Sequence, residues 1–143
     1  PGCVEGYKLA YPETRFELDI SPQEIFIDGV PEYIAQLLDK LIANAVDFSY
    51  EGQSITICSR ALRDHAIIKV SNAGPYLPEE MKDRLFESMI SVRPQEKQDQ
   101  PHLGMGLHIA RLISEFHGGQ IRAENRQDRE GVAITVVIPL FYR

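Results

Sequence analysis

The sequence is short of the features that most quickly assign a chain to a class. It has only two cysteines in 143 residues. Cys3 and Cys58 form neither a metal-ligand spacing nor a disulfide framework, so a reducing compartment is the default expectation. No apolar run approaches the ~18 residues of a membrane-spanning helix, and no signal-peptide pattern is present. Positive charge is also scarce, with 15 Lys and Arg against 21 Asp and Glu and a net charge of −6. That balance argues against nucleic acid as the main partner, because a phosphate backbone demands a basic footprint. Neither an internal repeat nor a low-complexity tract appears. The chain begins abruptly, which suggests a piece of something longer, with any membrane segment outside it.

What is present reads as one soluble-type domain with a single substantial core, at 43% hydrophobic and 25% charged residues. Residues 1–12 carry no periodicity and suggest a linker remnant. RFELDI then alternates Phe16, Leu18 and Ile20 against Glu17 and Asp19, the pattern of a half-buried strand. A second short strand is expected over 24–27, closed by the turn signal Asp28-Gly29. Pro31 suits a first helical turn, and Ile34, Leu37, Leu38, Leu41, Ala45 and Phe48 then recur on one helix face. Gln36, Lys40, Asn44 and Asp47 fall on another side of that helix. Strands are expected over 54–59 and 66–71, joined by a hairpin connection over 60–65. A short helix is expected over 78–89, with Met81, Leu85, Phe86 and Met89 as its buried side. Residues 91–101 are polar and aperiodic, as in a lid, a binding loop or a disordered segment. Strands over 120–124 and 132–140 close the chain. The pattern as a whole predicts an α+β fold, a two-layer sandwich of a mixed sheet with helices on one face.

The most informative stretch is HLGMGLHIARLISEFHGG, residues 102–119. Gly104 and Gly106 precede an apolar helical repeat, Leu107, Ala110 and Ile113 with Ile109, Leu112 and Phe116 alongside, and a Gly-Gly pair suits the helix end. Glycines at a helix start leave backbone N–H groups open to an anion, usually phosphate, at the positive end of the helix dipole. The alternative is simply a flexible lead into the helix. Upstream stand LLDKLIANAVDFS, VSNAGPYLPEE and RLFESM, in that order. Together these four stretches resemble the N, G1, F and G2 boxes of the GHKL ATPases, and within them the catalytic ATP-binding domains of sensor histidine kinases. HGGQI and the closing strand are similar to the same family, so the resemblance covers residues 12–140, and it implies a catalytic domain over 13–143.

The resemblance implies ATP and Mg²⁺ as ligands. Asn44 matches the family's Mg²⁺-coordinating amide, a suitable hard oxygen donor. Lys40 departs from the pattern one turn earlier, where a second Asn or, in other GHKL enzymes, a Glu acting as general base is usual, and it would serve only as a point charge toward phosphate, paired with Asp47. Asp47 departs in turn, standing where many of these kinases carry a cation. Asn72 takes the place of the acidic residue that receives the adenine amino group. It keeps a carbonyl acceptor and loses the charge, an expected loss of about 1 kcal/mol, roughly five- to tenfold in affinity. Gly74 matches the glycine that allows close approach of the base, while Tyr76 replaces the box's second glycine. Gly104 and Gly106 match the glycines whose N–H groups face the phosphates, next to Leu107, with His102 where a first glycine is usual. Phe86 matches the aromatic under the lid, with plain core packing as the alternative. Arg93 and Lys97 are the lid's cations and its candidate phosphate contacts.

None of the four histidines, His65, His102, His108 and His117, stands in the H-E/D-L-R/K-x-P pattern of a phospho-accepting histidine. The resemblance therefore implies no catalytic residue within this chain. The acceptor histidine and its neighbouring base would lie in a separate dimerisation domain, in a homodimeric, membrane-anchored parent whose catalytic domain is cytoplasmic and whose output is a response regulator. The rival expectation is a degenerate domain that has lost turnover and works as a signalling or interaction module. A third is another GHKL branch, such as an anti-sigma-factor serine kinase or a chaperone- or repair-type ATPase, of which Lys40 disfavours the hydrolytic ones.

Overall fold

A computed structural model describes residues 2–20, 29–82, 84–87 and 103–140. In chain order, α1 (Gly2–Ala10) leads into β1 (Arg15–Ile20), then α2 (Pro31–Phe48), β2 (Ser54–Leu62) and β3 (His65–Ser71). A single 3₁₀ turn at Glu79–Met81 follows, then α3 (Leu103–Phe116), β4 (Gln120–Asn125) and β5 (Val132–Pro139). The strands form one five-stranded sheet in the order β1-β2-β3-β5-β4. β1 runs parallel to β2 and every other pairing is antiparallel, so the sheet is mixed, as expected.

Register sorts the side chains because strand residues alternate between faces. Phe16 lies beside Ile55, and Ile57, Val70, Ile134 and Ala123 line up across β2, β3, β5 and β4. These residues belong to or pack on the core, together with Leu37, Leu41, Ile42 and Ala45 of α2 and Leu107, Ala110 and Ile113 of α3. On the opposite face the row Asp19, Cys58, Lys69, Thr135 and Arg122 crosses all five strands, outside that core. This is the two-layer α+β architecture with helices on one face.

Helix ends show how the chain is punctuated. α2 begins at Val30 without a side-chain cap, with Pro31 in its first turn. The Val30 N–H instead donates to His117 Nε2 at 3.1 Å. The same ring donates from Nδ1 to the Ile113 carbonyl at 2.8 Å, which sets the tautomer and leaves Nε2 as the acceptor. α3 ends in a Schellman arrangement: Gly118 adopts φ +79, its N–H donates to the Glu115 carbonyl at 2.9 Å, and the Gly119 N–H donates to the Ser114 carbonyl at 2.8 Å.

Several expectations need correction. Residues 1–12 are not aperiodic in structure: α1 occupies most of them, and Tyr7 and Tyr11 pack against Phe16 at ring-centroid distances of 6.4 and 6.5 Å. The hairpin connection is not six residues long. β2 and β3 extend to pair Leu62 with His65, leaving a two-residue turn in which Arg63 takes φ 57. Among the described residues, the stretch expected as a helix over 78–89 shows the 3₁₀ turn followed by hydrogen-bonded turns, including Leu85 N–H to the Met81 carbonyl at 2.9 Å, while Met89 lies outside them. Two prolines, at 75 and 78, precede it and favour extended backbone. Leu112 and Phe116 stay exposed on α3, where Phe116 meets Tyr33 edge-on at 5.5 Å. Leu18 and Ile20 are each 44% exposed, so their alternation gives the facing of β1 but not its burial. The strand expected over 24–27 and the segment over 91–101 lie outside the described residues.

Candidate functional site

Two cavities meet at Asn44, which is half-buried on α2 and lines both. The first, about 230 Å³, is mostly apolar, with Phe48, Pro75, Leu77, Leu85 and Val132 among its walls and Asn72 as its buried polar group. The second, about 280 Å³, lies between α1, α2 and α3, where Tyr7, Asp39, Lys40, Gly106 and Leu107 line it. Helical spacing explains why α2 serves both: Lys40 and Asn44 are one turn apart on the face adjoining the buried stripe of Leu37, Leu41 and Ala45.

Asn72 sits at the end of β3 and is 3% exposed. Its backbone N–H donates to the Val132 carbonyl at 3.0 Å, and its Oδ1 accepts the Val132 N–H at 2.9 Å. Nδ2 makes a long contact of 3.5 Å with the Ala45 carbonyl. The sequence reading gave this side chain a free acceptor; the structure uses one of its two oxygen lone pairs to join β3 to β5. Arg126 holds the same strand end by donating to the Asn72 carbonyl at 2.8 Å. It also grips Asp128 through two bonds of 3.0 and 2.8 Å. Those hydrogen bonds, reinforced by the guanidinium charge, hold the Asp128 carboxyl down at about 2.

Gly74 has a reason of its own for lacking a side chain. A Cβ there would fall 2.1 Å from the Phe48 carbonyl oxygen and 3.1 Å from its carbon. The loop is drawn onto the end of α2 by the Tyr50 N–H, which donates to the Ala73 carbonyl at 2.8 Å. Close packing of protein on protein therefore requires this glycine, whatever approaches from the cavity. Gly106 is the opposite case, because a Cβ would meet only Lys40 Cδ, at an ordinary 3.8 Å. Protein packing does not demand a glycine there. Gly104 and Gly106 both fall in the first turn of α3, where backbone N–H groups lack partners within the helix.

Of the sequence-derived candidates, the structure brings together Lys40, Asn44, Asn72, Gly106 and Leu107 in the walls of the two cavities. Phe86 lines neither; it is 6% exposed and belongs to the core, with its carbonyl 3.3 Å from His108 Nδ1. Arg93, Lys97 and His102 lie outside the described residues. Sequence reasoning missed Tyr7 and Val132 as wall residues, and it missed Asn125. The Asn125 amide accepts the Leu77 N–H at 2.7 Å and donates to the Leu77 carbonyl at 3.0 Å, pinning the loop that forms one wall. Its partner is 48 residues away, so no local pattern could have announced the contact. Among the described residues no three His, Cys, Asp or Glu side chains cluster as metal ligands, and no helix is long and apolar enough to cross a membrane.

Known proteins are similar to this chain in sequence and fold. Sensor protein ChvG of Agrobacterium fabrum is 38% identical over 74% of the chain, which covers 18% of that protein. Sensor protein DltS of Streptococcus agalactiae is 31% identical over 94% of the chain, covering 34% of the relative. The chain thus spans about a third or less of these relatives. Among solved structures, the catalytic domain of histidine kinase ThkA matches with TM-score 0.79 at 27% identity, over 96% of this chain and 90% of that one. The mycobacterial sensor histidine kinase MprB has the same fold, with TM-score 0.82 at 20% identity over 99% and 92% of the two chains. The family model of histidine kinase-, DNA gyrase B- and HSP90-like ATPases matches residues 29–141, a span that runs from the start of α2 past the end of β5. With that match over most of its length, the chain belongs to this ATPase family and is homologous to the catalytic domains of sensor histidine kinases.

Proposed function

We propose that this chain is the catalytic ATP-binding domain of a two-component sensor histidine kinase, presenting the γ-phosphate to a histidine on a separate dimerisation segment. The observation that carries the reading is the position of Asn44, shared by a base-sized apolar cavity and a second cleft whose walls hold Lys40, Asp39 and the start of α3. The base would enter beside Asn72. The phosphates would lie toward Lys40 and the first-turn N–H groups of α3, where charge and helix dipole favour an anion. Gly106 supports this placement, since its missing side chain leaves room that the protein itself does not need. The Asn44 amide oxygen suits Mg²⁺, an ion that takes one or two protein ligands and completes its shell with phosphate and water. When bound, the ion would neutralise phosphate charge. The chain's own residues would orient the nucleotide, which is most of what phosphoryl transfer asks of a protein.

Residues 1–12 would be the connecting segment, with α1 as one wall of the cleft, and 13–143 the catalytic unit; Arg93 and Lys97 would reach the phosphates from the intervening loop. The parent protein is proposed to be homodimeric and membrane-anchored, with this domain on the cytoplasmic side. Its output would be a response regulator, as the ThkA complex with response regulator protein TrrA illustrates for that kinase. The named relatives are sensor proteins and kinases, which does not favour the degenerate-module reading. Calorimetric titration with a non-hydrolysable ATP analogue tests the proposal. Micromolar, Mg²⁺-dependent binding that is lost in Asn44→Ala is expected; no binding at millimolar nucleotide would refute it.

A further inference from the structure

α1 lies outside the stretch that the ATPase family model matches, residues 29–141, yet it borders the cleft assigned above to the phosphates. Tyr7, Ala10 and the adjoining Tyr11 line that cleft together with Asp39, Lys40 and Asn44 of α2 and Gly106 of α3. About 280 Å³ stays open among them, so α1 bounds the cleft without filling it. The Tyr7 hydroxyl donates to Asp39 Oδ1, and the rings of Tyr7 and Tyr11 rest on Phe16. Away from these contacts the helix meets water, with Leu9 84% exposed. A helix of nine residues is marginal by itself in water, so α1 keeps its form through this docking.

We infer that docking of α1 and occupation of the phosphate cleft favour each other, so that the segment leading into the domain sets its affinity for a nucleoside triphosphate. The inference rests on the nucleotide reading above and adds a regulation of the same site. A docked α1 replaces water along one side of the cleft, which strengthens the attraction of phosphate to Lys40 and to the first-turn N–H groups of α3. Asp39 is the acidic member of the wall, and the Tyr7 hydroxyl gives its carboxylate a donor. Asp39 is exposed, so this second share is modest and fades with salt. Undocking removes both. By reciprocity, a bound triphosphate holds α1 down, and whatever pulls α1 from α2 weakens triphosphate binding by the same factor. The base cavity has no wall from α1, so the effect belongs to the phosphates and not to the base.

Hydrogen exchange of the whole 143-residue chain, with and without a saturating non-hydrolysable ATP analogue, reads the coupling from one side. Exchange of the α1 amides should slow by about threefold or more; unchanged exchange there while the analogue is bound overturns the inference. Tyr7→Ala removes ring and hydroxyl and reads it from the other side. Its dissociation constant for the ATP analogue should rise by about threefold or more, while that for adenosine, which has no phosphates, stays within about twofold of the parent. An equal loss for both ligands, no loss, or tighter binding of the analogue overturns the inference. Should Tyr7→Ala not fold, the exchange comparison on the unmodified chain decides alone. Failure of the unmodified chain to bind either ligand refutes the nucleotide reading and this inference with it, whereas binding that leaves α1 indifferent refutes only the inference.

Discussion

Replacing Gly74 and Gly106 by alanine, one at a time, separates a glycine that the fold needs from one that the ligand needs. At Gly74 the new Cβ would stand 2.1 Å from the Phe48 carbonyl oxygen, so the loop and the end of α2 must part by roughly 1 Å or more to reach ordinary contact. Both sides are backbone, and the bond from the Tyr50 N–H to the Ala73 carbonyl at 2.8 Å ties them together. Overpacking of this kind costs about 1–3 kcal/mol, and the upper end is expected because no side chain can rotate away. For a domain of this size that is a fall of about 3–10 °C in Tm. Phe48 and Asn72 line the same cavity, so nucleotide affinity should fall with it. Gly106→Ala meets only Lys40 Cδ at 3.8 Å, and alanine is the better helix former by up to about 1 kcal/mol. Its Tm should hold or rise while affinity for the ATP analogue drops. Calorimetric melts and titrations of both variants read the two effects. An unchanged Tm for Gly74→Ala would refute the packing argument, and unchanged affinity for Gly106→Ala would refute the placement of phosphate beside it.

Three further outcomes follow from single contacts. Asn125→Val removes both bonds to the buried Leu77 backbone, so urea denaturation should show a loss of about 1–3 kcal/mol together with weaker nucleotide binding; a stability within error of the parent would contradict the pinning role. His117→Phe keeps an aromatic ring but takes away the acceptor for the Val30 N–H and the donor to Ile113. It should cost about 1–3 kcal/mol and speed hydrogen exchange in the first turn of α2, and unaltered exchange there would count against it. Asp128 is held down at about 2, below the usual carboxylate range, chiefly by hydrogen bonds from Arg126. Because its folded-state value is the lower one, the pair contributes fully above about pH 4 and fades as pH falls through about 2. Carboxyl chemical shifts in a pH titration should place its midpoint near 2, and a midpoint near the ordinary Asp value would disprove the pairing.

The sequence by itself determined the elements whose signals are local. Period-3.6 apolar residues placed α2 within its observed bounds, alternation placed β5, and Gly118-Gly119 marked the end of α3. The order of the box motifs also named the family, because side chains one helical turn apart, such as Lys40 and Asn44, share a face in any α-helix. Tertiary structure decided what depends on distant partners. It turned the aperiodic first residues into a helix packed on Phe16, and among the described residues after Pro78 it left a 3₁₀ turn at Glu79–Met81, next to a loop that Asn125 pins at Leu77. It also moved Phe86 out of the site and into the core. The two glycines illustrate the division most directly: in the sequence Gly74 and Gly106 are both box glycines, but only the fold puts one against the Phe48 carbonyl and the other beside open space. The same holds for Asn72, whose amide chemistry is written in the sequence while its orientation depends on a Val132 N–H that lies 60 residues along the chain.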